Sequence, residues 1–185
     1  SICGEPKTSD NKECFHTDSK HKGVFMSDMI KMIVLDVDGT LTNGQIGLLH
    51  VNGVIVETKS FNVKDGMGIS EWIKGGGFVS VISGRQCILT QHRAKELGIH
   101  EVHLGVEDKL ACLKEICKKY KILPDNVACI GDDVNDLNMY AFCRYSFAPA
   151  DASDVNKMRA SFVTHAKGGE GAVREMIDML ASIRD

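Results

Sequence analysis

Met32-Ile-Val-Leu35 is an apolar run that stops at two carboxylates one residue apart, Asp36 and Asp38, followed by Gly39-Thr40. A short run of this kind reads as a strand buried on both faces of a parallel sheet. Open α/β sheets place their chemistry beyond the carboxyl ends of such strands. Side chains alternate along a strand, so Asp36 and Asp38 point one way and Val37 the other. Two adjacent carboxylates repel unless a cation or a proton lies between them, which points to a magnesium-dependent site. A strand running into an Asp-Gly turn would explain Asp38-Gly39 but leaves Asp36 unexplained.

The pattern recurs along the chain. Phe78-Val-Ser-Val-Ile82 ends in Ser83-Gly84-Arg85, and Val127-Ala-Cys-Ile130 ends in Gly131-Asp132-Asp133. Helical segments are expected over 65–74, after Arg85 to about Leu97, over 107–120, around Leu137 and Met139, and over 170–183. Short strands are expected near 102–104, 145–147 and 162–163. This alternation predicts an α/β fold with a doubly wound, Rossmann-like parallel sheet. Between the first strand and the first helix, two β-rich runs flank Asn52-Gly53, a strong hairpin signal, so a β-hairpin flap is expected over the carboxylates. The hairpin and one helix fill the chain between Asp36 and Ser83 and leave no room for a separate cap domain. Residues 1–28 are polar and aperiodic and read as a flexible N-terminal tail, with one domain over 29–185.

A formal net charge of -3 argues against nonspecific nucleic-acid binding. No apolar run has the length of a membrane span and no signal-peptide core opens the chain, so the expectation is a cytoplasmic protein without membrane or nucleic-acid partners. Cys87, Cys112, Cys117, Cys129 and Cys143 fall within helix or strand patterns, as suits reduced, buried thiols. Cys3, Cys14, His16 and His21 lack the regular spacing of a zinc site.

Taken singly, Ser83, Asp133 and Asp136 read as helix caps and Lys109 as a solvated surface residue. Taken in order at neighbouring strand ends, they converge with Asp36 and Asp38 into a set suited to phosphoryl transfer. That order, Asp-x-Asp-Gly-Thr, then Ser, then Lys, then Gly-Asp-Asp-x-x-Asp, resembles the four motifs of the haloacid dehalogenase superfamily from about Ile30 onwards. Asp38-Gly-Thr-Leu-Thr-Asn-Gly44, Phe61-Asn-Val-Lys-Asp-Gly66, Ile82-Ser-Gly-Arg85 and Gly168-Gly-Glu-Gly-Ala-Val-Arg-Glu175 are similar to its small capless branch of sugar-acid phosphatases.

The resemblance implies a role for each residue. Asp36 is expected as the nucleophile that carries the phosphoryl group, and Asp38 as the general acid and base. Magnesium is expected on Asp36, the Asp38 carbonyl and Asp132. Ser83 and Lys109 are expected to bind phosphate, with the Gly84 N–H helping from a helix N-terminus. Thr40, Asp133 and Asp136 are expected to orient these groups. The expected substrate is 3-deoxy-D-manno-octulosonate (KDO) 8-phosphate, with a nine-carbon sialic-type 9-phosphate as the alternative. Lys64, Arg85 and Arg174 are candidate cations for its carboxylate or phosphate. A homotetramer is expected, with the flap and neighbouring subunits closing the site. Two rivals are a non-catalytic oligomerisation domain, like that fused to some CMP-sialate synthetases, and a phosphoacceptor switch. The first predicts eroded motifs; the second has no use for Asp38.

Overall fold

A computed structural model describes residues 30–182. The chain runs β1 (Met32–Leu35), β2 (Gly47–Val51), β3 (Val54–Thr58), α1 (Val63–Lys74), β4 (Phe78–Ile82), α2 (Ile88–Leu97), β5 (Glu101–His103) and α3 (Lys109–Tyr120). It continues through β6 (Val127–Ile130), α4 (Leu137–Phe142), β7 (Tyr145–Ala148), α5 (Asp154–Arg159), β8 (Phe162–Val163) and α6 (Ala172–Ala181). Single 3-10 turns occupy Pro124–Asn126 and Val134–Asp136. The tail expected over 1–28, and the zinc alternative within it, lie outside the described residues.

Among the described residues the main sheet has six parallel strands in the order β5-β4-β1-β6-β7-β8, and β2 and β3 form a separate antiparallel ribbon. β1 is central because its residues are apolar on both faces. Ile33 and Leu35 pack with Ile69 of α1 and Val173, Met176 and Leu180 of α6. Met32 and Val34 face the other way, against Leu113 and Ile116 of α3 and Met139 of α4. Helices on both faces make this the doubly wound α/β fold expected, and no separate cap domain occurs among the described residues. Leu35 pairs with Val81 on one side and Ile130 on the other. The chain therefore leaves β1, β4 and β6 at one level, which brings Asp36, Ser83 and Asp132 to one edge of the sheet.

Local chemistry sets several boundaries differently from the sequence expectation. α1 starts at Val63 rather than 65 because Asn62 caps it, accepting from Lys64 N at 2.8 Å. α3 starts at Lys109 rather than 107 because Asp108 caps it, accepting from Ala111 N at 3.0 Å. α6 begins only after Gly171, whose φ of 109° is outside the helical region. The strand near 102–104 is Glu101–His103, one residue earlier.

Candidate active site

Asp36 is the first residue beyond β1, and its N–H donates to the Ile130 carbonyl at 3.1 Å, which seats it against the end of β6. Its side chain is nearly closed to solvent and held at both oxygens. Lys109 Nζ donates to Oδ1 at 2.7 Å and Thr40 Oγ1 to Oδ2 at 3.2 Å. Lys109 also donates to Asp136 Oδ1 at 2.8 Å. A lysine in the first turn of α3 stands against the positive end of the helix dipole, so the helix gains nothing from it there. Its two carboxylate partners account for its place. Burial pulls the Lys109 pKa down, but Asp36 and Asp136 outweigh burial and leave it raised. The ammonium thus stays charged, and the reading of Lys109 as a solvated surface residue is overturned.

Asp132 faces Asp36 from the end of β6. Oxygens of Asp36, Asp132 and Asp136 lie within 4.8 Å of one another. Three carboxylates against one ammonium leave an excess of negative charge in a partly desolvated cleft. Burial, and then Asp36, push Asp132 up to about 9. Burial and Asp36 also raise Asp136 to about 6, against the opposing pull of Lys109. Such a cluster suits a hard divalent cation bound through oxygen. Gly39 covers it at φ +88°, and a Cβ at that position would collide with the Asp132 carboxylate. Asp136 is the least free of the three. One oxygen receives Lys109, and the other receives the N–H groups of Asp132 at 3.0 Å and Asp133 at 3.3 Å.

The other expected residues divide. Ser83 is buried at the end of β4, and its Oγ accepts from Arg85 N at 3.3 Å in a local turn. Gly84 is not at a helix N-terminus as expected: α2 starts at Ile88 with Cys87 as its N-cap. The Gly84 N–H therefore belongs to a turn and has no helix dipole behind it. Asp133 is exposed and caps the 3-10 turn that carries Asp136, so the capping reading describes it. Arg85 reaches the rim, with Nη2 3.1 Å from Glu57 Oε1 and Nε 3.7 Å from Asp38 Oδ2. Lys64 and Arg174 are not brought to this edge by any polar contact. Arg174 Nε donates to Asp178 at 3.0 Å and its Nη1 to the Lys64 carbonyl at 3.4 Å, on the α1–α6 face. Gly168 and Gly169 contact the β1 loop: Gly169 N donates to Thr40 O at 2.9 Å, and a Cβ on Gly168 would strike the Gly39 carbonyl.

Two residues escaped the sequence reading. Lys59 Nζ lies 2.8 Å from Asp38 Oδ1 and 3.8 Å from Glu57 Oε1, and the Lys59 side chain has no solvent exposure. Burial lowers the Lys59 pKa, but the hydrogen bond and charge of Asp38 outweigh it and leave it raised. The available signal was period 2: residues two apart at the end of β3 share a face, so Glu57 and Lys59 point together towards β1.

Comparison with known proteins places this geometry. Residues 101–177 match the family described as haloacid dehalogenase-like hydrolase. The chain is 38% identical over 154 residues to the 3-deoxy-D-manno-octulosonate 8-phosphate phosphatase of Salmonella typhi, covering 83% of this chain and 80% of that one. The enzyme of that name from Moraxella catarrhalis, solved with magnesium, phosphate and KDO, superimposes with a TM-score of 0.80 at 33% identity, covering 85% of this chain and 89% of the other. The cobalt-bound form from Haemophilus influenzae gives a TM-score of 0.79 at 37% identity, covering 86% and 91%.

Proposed function

The chain belongs to the haloacid dehalogenase-like hydrolases, in the branch of the KDO 8-phosphate phosphatases, and on that premise we propose that it is a magnesium-dependent phosphatase hydrolysing KDO 8-phosphate to KDO and phosphate. The observation that carries this reading is the buried Asp36–Lys109 pair, 2.7 Å apart, beside an acid cluster at the strand ends. We assign the activity to a single unit, residues 29–185.

Asp36, Asp132 and the Asp38 carbonyl would hold magnesium, which when bound offsets the charge of the phosphate dianion and of the carboxylates. Lys109, Ser83 and the Gly84 N–H hold the phosphate oxygens and stabilise charge that builds on them. An Asp36 oxygen attacks phosphorus; its bond to phosphorus forms as the bond to the sugar oxygen breaks. Asp38 gives its proton to the departing oxygen. Water then attacks the phosphorus on Asp36, Asp38 takes the proton from that water, and the bond to Asp36 breaks to release phosphate. Thr40 and Asp136 fix the orientation of Asp36 and Lys109, and Asp133 shapes the turn that presents Asp136. Of the three candidate cations, we assign the sugar acid to Arg85, whose position near Asp38 supports that reading.

We also read the working form as a cytoplasmic homotetramer. Support for assembly comes from the β2–β3 ribbon, which exposes Leu48, Leu49, Val51, Val54, Ile55 and Val56. A two-stranded ribbon with apolar residues on both faces is marginal alone and gains stability when further copies cover it. The free, buried thiols of Cys87, Cys117, Cys129 and Cys143 suit a reducing compartment.

The test is phosphate release with and without magnesium, comparing kcat/KM on KDO 8-phosphate with that on N-acetylneuraminate 9-phosphate. We expect at least a hundredfold preference for the former, about 2.7 kcal/mol of differential transition-state binding. Asp36→Asn should abolish release from both. A preference for the nine-carbon substrate would reassign the sugar. Absence of magnesium-dependent release from either would instead favour a non-catalytic domain.

A further inference from the structure

Asp38 is the less buried member of the carboxylate pair, three residues beyond the strand, yet its proton must arrive at one oxygen of the leaving sugar. Something has to fix its carboxyl plane. Its Oδ1 receives Lys59 Nζ at 2.8 Å. Its Oδ2 has Arg85 Nε at 3.7 Å, beyond hydrogen-bonding distance. One oxygen is therefore held and the other is left for the travelling proton.

The holder is unusual for a lysine, a residue rarely excluded from water unless paired. Lys59 directly follows β3, so its ammonium is delivered by the root of the flap. Glu57 lies between Lys59, 3.8 Å away, and Arg85, 3.1 Å away. The charges alternate along Arg85, Glu57, Lys59 and Asp38, so each group has an opposite neighbour.

We propose that Lys59 is a positioning residue for the acid–base carboxylate, coupling the orientation of Asp38 to the seating of the β2–β3 flap. This rests on the hydrolase reading above. The proton moves as already described, from Asp38 Oδ2 to the sugar oxygen and back from the attacking water; Lys59 keeps its own protons and holds Oδ1 throughout.

A purely structural ion pair at the flap root would affect all substrates alike, and leaving-group dependence separates the two roles. A sugar alkoxide needs a proton to depart, whereas p-nitrophenolate leaves as a stable anion. Lys59→Met should lower kcat/KM on KDO 8-phosphate about 10- to 100-fold, a part of the full value of general acid catalysis. The loss on p-nitrophenyl phosphate should be at least tenfold smaller. Because the second step still needs Asp38, that substrate should show a burst of p-nitrophenolate stoichiometric with enzyme. Lys59→Arg, which retains a cationic donor, should restore most of the alkyl-phosphate rate. In an Asp38→Asn background, Lys59→Met should cost nothing further. If Lys59→Met does not fold by circular dichroism, Lys59→Gln serves in its place.

Equal losses on both substrates, no loss, or additive losses in the double variant would overturn the proposal. A wild type without magnesium-dependent release, or an active Asp36→Asn, would instead overturn the hydrolase reading beneath it.

Discussion

At the residue scale, the site is a balance of buried charge. Lys109 offsets Asp36 and Asp136 together, so its removal strands two carboxylates away from water. Losing one partner of a buried ionic cluster costs about 3–5 kcal/mol. Lys109→Met should therefore unfold earlier in denaturant at pH 7 in the absence of metal, and its kcat/KM should fall by at least about 100-fold. The stability deficit should shrink as the pH falls from 7 towards 5, because Asp136, raised to about 6 even beside Lys109, takes up a proton and relieves the unpaired charge. A deficit independent of pH would show that packing, rather than charge, holds Lys109 in place. The placement of Asp36, Ser83 and Asp132 at one edge was legible in the sequence because strand ends fix where a side chain goes, while Lys109, which opens α3, was legible only from its order among them. Lys59 was not, since an isolated lysine after an exposed ribbon looks like any surface cation until the fold places Asp38 beside it. Lys64 and Arg174 show the converse. Their charge suggested a ligand, but Arg174 on α6 reaches the Lys64 backbone carbonyl on α1, and Asp178 takes its guanidinium.

At the scale of elements, the strands and helices were readable from periodicity, while their ends were decided by caps such as Asn62 and Asp108. The edge of the sheet shows what periodicity misses. β5 is a three-residue strand, too short to announce its own start, and Glu101 ties it to the last turn of α3. Glu101 Oε1 accepts from Lys119 Nζ at 2.6 Å and from the Tyr120 hydroxyl, while Oε2 meets His103 Nε2 at 2.7 Å. The bonds from Lys119 and Tyr120 hold Glu101 down at about 2. A carboxylate depressed by folding contributes stability that is fully present above its unfolded pKa and is lost as pH falls through that value towards the folded one. With Lys119 largely in water, the contribution is discounted to about 1 kcal/mol. Glu101→Gln should lower Tm by about 3 °C at pH 7. The difference from wild type should fade between pH 4.5 and pH 2, followed by calorimetry. A difference that persisted at pH 2 would place the effect in packing.

At the scale of the whole molecule, the β2–β3 ribbon is the feature that a single chain leaves unfinished. If further copies cover it, charge on the face that carries Leu49, Val51, Val54 and Val56, opposite Glu57, should weaken assembly. Leu49→Glu with Val54→Glu should shift sedimentation from tetramer towards monomer at micromolar concentration, and p-nitrophenyl phosphatase activity should survive better than activity on the sugar acid. A wild type that sediments as a monomer at all concentrations would remove the tetramer reading. The Asn52-Gly53 turn made the ribbon legible in sequence, but its lack of a buried face was not, because alternation is read the same way whether or not anything covers it. The strand order carries a consequence for synthesis. Of the described strands β1 is made first, yet it lies between β4 and β6, which the ribosome delivers much later. Until Val127–Ile130 emerges, one edge of β1 has no partner, and the nascent chain holds an apolar strand beside an apolar ribbon. Parallel pairing across such separations is slow and exposes sticky surface while it waits. The acid cluster closes only when Asp132 and Asp136 follow β6 into place, so an unfinished chain has no complete metal-binding pocket.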